Sequence, residues 1–140
     1  MRVLVVEADR VAAAAVAAVL RECGHEVTVE YDARGAVRSL VTHGPDVMFL
    51  DVALPAGDAG ELLQRVRLVP SAAELAVAVV APADECARWL ADGAHVVLSG
   101  QVDRSVVCET VAEARAAADG AEPGHRTVAL ELLRELGDRA

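Results

Sequence analysis

Lysine is absent from this chain of 140 residues: all thirteen basic residues are arginines. That absence removes Schiff-base chemistry, the phosphate-gripping lysine of a P-loop and any lysine that could neutralise a phosphoryl group. A basic face is missing as well. Twenty-two acidic residues leave a formal net charge of −9, which excludes binding to nucleic acid or an anionic membrane by this chain alone. Aromatics are scarce, with one Trp, one Tyr and one Phe. No run stays apolar over the roughly 18 residues that a membrane span needs, and the N-terminus reads as a strand instead of a signal peptide. A cytoplasmic location is therefore expected.

Cysteine is also sparse. Cys23, Cys86 and Cys108 are an odd set, far apart and without metal-ligand spacing. They are expected to be reduced thiols packed as small hydrophobes. His25, His43, His95 and His125 lie at turns or element starts, with no Cys or carboxylate at ligand spacing, and are expected to be solvated. No metal site follows.

What is present is an apolar chain, 54% hydrophobic, of one-domain length, able to bury roughly two-thirds of its unfolded surface. Arg2 to Val6 is too short for a helix and apolar throughout, the mark of a buried parallel strand. Asp9 caps a helix whose apolar positions run from Val11 to Leu20, and Gly24 stops it. Glu26 to Tyr31 alternates as a strand nearer the sheet edge. Asp32 caps a helix through Val37, Leu40 and Val41, closed by Gly44-Pro45. Asp46 to Asp51 is a second buried strand ending in a carboxylate.

After a loop with Pro55 and Gly57, a helix spans Gly60 to Val69 and a strand spans Leu75 to Val80. Asp84 to Ala91 is helical, Val96 to Leu98 is a fifth strand, and Asp103 caps a helix ending near Gly120. Five strands alternate with five helices across short loops. This is an α/β, flavodoxin-like (βα)5 pattern, a parallel sheet with helices on both faces. Pro123-Gly124 then breaks the chain, and Val128, Leu132 and Leu136 form an apolar stripe on an extra C-terminal helix. The expected organisation is a domain over 1–118, a linker over 119–124 and a helix over 125–140.

The order of elements and one local motif resemble the receiver domain of two-component response regulators. The resemblance covers roughly residues 2 to 118. It rests on Val3-Leu4-Val5-Val6-Glu7-Ala8-Asp9, on Asp51-Val52-Ala53-Leu54-Pro55 with Asp58, and on Gly93-Ala94-His95. It implies that Asp51 matches the aspartate that accepts a phosphoryl group. It also implies an acidic pair after the first strand that holds Mg²⁺ with that aspartate. A hydroxyl after the fourth strand and a lysine after the fifth would grip the phosphoryl oxygens, and an aromatic on the fifth strand would report the hydroxyl's movement.

This chain departs from that set residue by residue. The acidic pair falls on Glu7 and Ala8, the hydroxyl on Ala81, the switch aromatic on Val97 and the lysine on Gly100. Glu7 and Asp9 remain as remnants of the acidic pocket. Losing one direct carboxylate weakens Mg²⁺, so no cofactor beyond weak Mg²⁺ binding is expected. Electrostatic stabilisation carries most of phosphoryl transfer, so autophosphorylation is expected to be very slow or absent. Other catalysis is not expected either. A haloacid-dehalogenase-type nucleophile needs a second aspartate at position 53, which is Ala53, and the glycines of a dinucleotide site are missing.

The sequence thus reads as a degenerate receiver, a pseudo-receiver, signalling by protein interaction or homodimerisation instead of phosphorylation. It fits a transcriptional regulator with an effector domain beyond residue 140. Arg88, Trp89, Asp103 and Arg104 are the candidate contacts by resemblance. Two alternatives stay open. One is a receiver still phosphorylated on Asp51 by a histidine kinase. The other is a small-ligand sensor using the space left at Ala8, Ala81 and Gly100.

Overall fold

The computed structural model describes residues 1–55, 58–69, 72, 74–100 and 102–120 and the backbone of 126–127. In chain order the elements are β1 (Arg2–Val6), α1 (Arg10–Glu22), β2 (Glu26–Glu30), α2 (Ala33–His43), β3 (Val47–Asp51), α3 (Asp58–Leu68) and β4 (Ala76–Val80). A single 3₁₀ turn (Ala83–Glu85) runs into the short α4 (Cys86–Ala91), followed by β5 (Val96–Leu98), α5 (Arg104–Ala118) and β6 (Arg126–Thr127). All strand pairs are parallel, in the order β2-β1-β3-β4-β5-β6. The five βα units are those the sequence predicts, with bounds shifted by a residue or two.

Short polar signals set the helix starts. Asp9 Oδ1 accepts from the backbone N–H of Val11 and Ala12 at 2.9 and 3.0 Å. Asp32 Oδ1 accepts from Gly35 at 2.7 Å, and Asp103 Oδ1 from Val106 at 3.1 Å. Each satisfies donors that a helix leaves orphaned. Gly44 ends α2 in the left-handed region at φ 55°, a conformation that favours glycine.

The strands alternate between two core layers, as a period of two requires. Leu4, Val6, Met48, Leu50, Val77, Val79 and Val97 face α2, α3 and α4. Val3, Val5, Val47, Phe49, Ala76, Ala78, Val96 and Leu98 face α1 and α5. The two alanines on β4 are fully buried. Their small size lets α5 lie close over the middle of the sheet, where Val107, Val111 and Ala114 fill the gap. Arg115 then reaches from α5 to donate to the carbonyls of Asp46 and Glu74 at 2.7 and 3.0 Å.

At the far edge, Arg126 and Thr127 pair with Val96 and Val97 of β5. A strand stands here where the sequence predicts helix from residue 125. Residues 121–125 of the expected linker and helix, and 128–140 of the helix, lie outside the described residues.

Candidate functional site at the carboxyl ends of the strands

In a parallel α/β sheet the loops at the strand carboxyl ends converge, and here β1 and β3 are neighbours at the sheet centre. Val6 pairs with Leu50, so the next residues, Glu7 and Asp51, stand side by side. Both are half-buried. Asp51 Oδ1 accepts from the backbone N–H of Ala53 at 2.8 Å, which orients the carboxylate and folds the loop back on itself. Glu7 Oε1 accepts from the N–H of Asp9 at 3.0 Å.

The two carboxyl groups also share a hydrogen bond. Burial, above all, and then this bond push Glu7 up from 4.5 to about 7, against the pull of the Asp9 N–H. The charges of Asp51 and Asp9 act in the same upward direction. Glu7 therefore keeps its proton to a higher pH than an ordinary carboxyl group. The sequence pattern gave Glu7 no such role. The register of β1 on β3 creates it.

Asp9 does not complete a cation cage. It is exposed, and its Oδ1 is committed to the first turn of α1. Ala8 offers no oxygen. Among the described residues no group of three or more His, Cys, Asp or Glu is placed to hold a metal ion. Mg²⁺ is usually held by one or two carboxylates with waters completing its octahedron; Glu7 and Asp51 are the two carboxyl groups that would hold it here, without the oxygen that Ala8 lacks.

The neighbouring strand ends carry no charge. Ala81 is buried, with its N–H donated to the Leu98 carbonyl at 3.0 Å. Val97 is fully buried in the layer beneath α2, α3 and α4. Gly100 is exposed at φ 95° with open space around it, a backbone that explains glycine. Ser99 at the end of β5 accepts from the Cys86 thiol at 3.9 Å, which ties it to α4.

The sequence matches the response regulator receiver domain over residues 3–112. The chain belongs to the receiver-domain family. Solved structures repeat its fold. A protein from Chloroflexus aurantiacus J-10-fl solved as a response regulator is 24% identical, covers 82% of this chain and 97% of its own, and superposes with a TM-score of 0.76. The chemotaxis response regulator CheY4 of Vibrio cholerae is 21% identical, with 81% and 97% covered and a TM-score of 0.74. NtrX from Brucella abortus, solved in complex with ATP, is 21% identical with a TM-score of 0.75. That match covers 98% of this chain but 29% of NtrX. No curated protein matches the chain.

The candidate contact residues of this receiver do not form one open surface. Trp89 is 3% exposed and belongs to the core between α3, α4 and the sheet. Its indole N–H has no hydrogen-bond partner. Arg88 lies over the Trp89 ring at 4.7 Å, between Glu85 and Asp92 of its own helical stretch. The Asp103 carboxyl is held below the usual carboxylate range, first by the Val106 N–H and then by the Ser105 hydroxyl. Arg104 forms an ion pair with Glu22 of α1. Of the four, Arg88 and Asp103 are exposed and bonded within their own helical stretches, whereas Trp89 is buried and Arg104 reaches across to α1.

Three cavities lie away from Ala8, Ala81 and Gly100. One of about 310 Å³ opens at the amino ends of β1 and β2, beside Ser39 and His43. Another of about 270 Å³ lies between α3 and β4, beside Arg67 and His95. The third, of about 520 Å³, lies between α1 and α5.

Two expectations from composition are overturned. Cys23 and Cys108 are not separate reduced thiols: they form a disulfide joining the end of α1 to α5. Only Cys86 is a free, buried cysteine. The strand order places α1 and α5 on the same sheet face, which brings together residues 85 positions apart. Nor is His95 a solvated turn residue. It is half-buried, and its Nδ1 accepts from the Val77 N–H at 3.0 Å, tying the start of β5 to β4. His25 pairs with the N-terminal amine at 3.1 Å. Burial, and then that amine's charge, lower its pKa.

Proposed function

We propose that this receiver is a pseudo-receiver: a signalling and protein-interaction module, without enzymatic activity, whose output does not depend on phosphorylation. The observation that carries this reading is the strand-end site itself, where Asp51 stands beside half-buried Glu7 and, among the described residues, no cationic side chain is bonded to either. Phosphoryl transfer to a carboxylate needs positive charge at the transferring group and its leaving oxygen. Here Ala8, Ala81 and Gly100 replace the metal ligand, hydroxyl and lysine that the family resemblance implies, and the chain contains no lysine elsewhere. Arg10, the nearest arginine along the chain, is stacked over the Tyr31 ring at 4.1 Å.

The domain acts in the cytoplasm as part of a transcriptional regulator, through a protein partner or a second copy of itself. Among the described residues no helix is long and apolar enough to cross a membrane. The match to 29% of NtrX supports a place within a larger regulator.

The test is incubation with acetyl phosphate and Mg²⁺, followed by intact mass and light scattering. The expected result is no phosphoryl adduct, and a mass in solution that neither the phosphodonor nor Asp51→Ala alters. A single phosphoryl gain on the wild type, absent in Asp51→Ala, overturns the reading and restores a phosphorylated receiver.

A further inference from the structure

We propose that Cys23 and Cys108 form a reversible redox-modification site, a dithiol that closes by thiol–disulfide exchange with a low-molecular-weight disulfide and clamps α1 to α5. Their Cα atoms lie 6.9 Å apart, within bridging reach. Cys23 is the residue that ends α1 and is exposed. Cys108 sits in the second turn of α5, half-buried. The bridge is therefore open to solvent on one side, unlike a disulfide sealed in a core.

The groove between the helices leads to both sulfurs. Its volume is about 520 Å³, and Val19, Glu22, Arg104 and Ser105 line it with the two cysteines. The ion pair of Arg104 with Glu22 spans the same helices, so the local charge is balanced and a neutral or anionic small disulfide can approach. Cys108 Sγ lies 3.9 Å from the Val19 carbonyl, an acceptor for its S–H once the bridge is reduced. The third thiol cannot compete. Cys86 is 5% exposed and lies in the opposite core layer.

Exposure sets the order of events. The Cys23 thiolate attacks one sulfur of the entering disulfide and expels a small thiolate, leaving a mixed disulfide on Cys23. The Cys108 thiolate then attacks Cys23 Sγ and expels the second small thiolate. One small disulfide is reduced to two small thiols, and the protein loses two hydrogens. The function proposed above supplies only the compartment: in a reducing cytoplasm, a solvent-accessible disulfide is characteristically transient or redox-sensing.

Closure joins the end of α1 to the first half of α5, the helix entered from the Gly100 loop. A covalent link there restrains opening of both segments.

The full chain, reduced and then equilibrated at neutral pH in glutathione buffers of varied thiol-to-disulfide ratio, tests this. Free thiols are alkylated and located by mass spectrometry, and amide hydrogen exchange is measured on each form. Cys23 and Cys108 should lose reactivity together, with one midpoint and full reversal by excess reduced glutathione. Exchange in the last turn of α1 and the first turns of α5 should slow about tenfold in the oxidised form. Cys23→Ser, at an exposed position, should abolish both effects. If that variant does not fold, alkylation of the wild type alone decides the matter.

Three results overturn the proposal. They are a glutathione adduct that stays on Cys23, a bridge that forms between two chains, and a bridge that reduced glutathione cannot open in the folded protein. None of these readouts involves Asp51, so failure here and failure of the pseudo-receiver reading are told apart.

Discussion

Replacing Glu7 with Gln should make the protein more stable at alkaline pH while leaving it unchanged in mild acid. Glu7 is raised from 4.5 to about 7, by burial first and by its hydrogen bond to Asp51 second. The folded state therefore holds a proton that the unfolded chain releases more readily. Stability gained from that proton is complete below the unfolded value of 4.5 and is lost as pH climbs through about 7.

Shielded from water, the difference would amount to about 3 kcal/mol. Glu7 is only half-buried, and solvent screening reduces the figure to about 1 kcal/mol. Gln cannot ionise, yet it keeps an amide N–H to donate to Asp51 and an oxygen to accept from Asp9. Urea unfolding followed by circular dichroism, without divalent cations, at about pH 5 and about pH 8 gives the comparison. The two proteins should agree in acid, and Glu7→Gln should gain about 1 kcal/mol in base. Carboxyl carbon NMR should place the Glu7 midpoint near 7, and Asp51→Asn should lower it. A wild-type midpoint near 4.5, or a gap between the proteins that does not change with pH, would refute the reasoning.

Three further outcomes follow from the packing. Reducing the Cys23–Cys108 bridge, which spans 85 residues of sequence, should cost about 2–4 kcal/mol of unfolding free energy. Urea titration with and without dithiothreitol measures it, and coincident curves would count against the link. Ala78→Leu should cost about 1–3 kcal/mol by forcing α5 off the sheet, read as a lowered thermal midpoint. An unchanged midpoint would mean that the gap beneath α5 is looser than described. Asp32→Ala should cost about 1 kcal/mol by releasing the Gly35 N–H at the start of α2, seen in the same urea titrations. A loss below a few tenths would show the cap to be dispensable.

Much of this fold is legible in the sequence because its signals are local. Asp9, Asp32 and Asp103 each precede an apolar periodic run and each proves to be a helix cap. The buried strands are visible as short β-branched runs with no polar interruption. The strand-end carboxylate Asp51 is visible for the same reason.

What escapes the sequence depends on distance across the fold. The Glu7–Asp51 bond needs the registry of β1 against β3. The Cys23–Cys108 bridge needs the knowledge that α1 and α5 share a face, which no spacing within either helix reveals. The burial of Trp89 escapes as well, because helical spacing shows a stripe without showing whether something covers it. Here α3 and the sheet do. The fourth helical segment begins as a 3₁₀ turn, with the Glu85 N–H donated to the Pro82 carbonyl at 3.0 Å, a detail that apolar spacing does not show.

The sole tryptophan lies in only one of the two core layers. Trp89 is packed among the residues facing α2, α3 and α4, while the α1 and α5 layer, with the disulfide, contains none. Its fluorescence therefore reports the environment of one side of the sheet, whereas far-ultraviolet circular dichroism averages over both. Comparing the two signals across a denaturant titration asks whether the halves of this protein come apart together. Under reducing conditions the dark layer can loosen first, and the tryptophan will not see it.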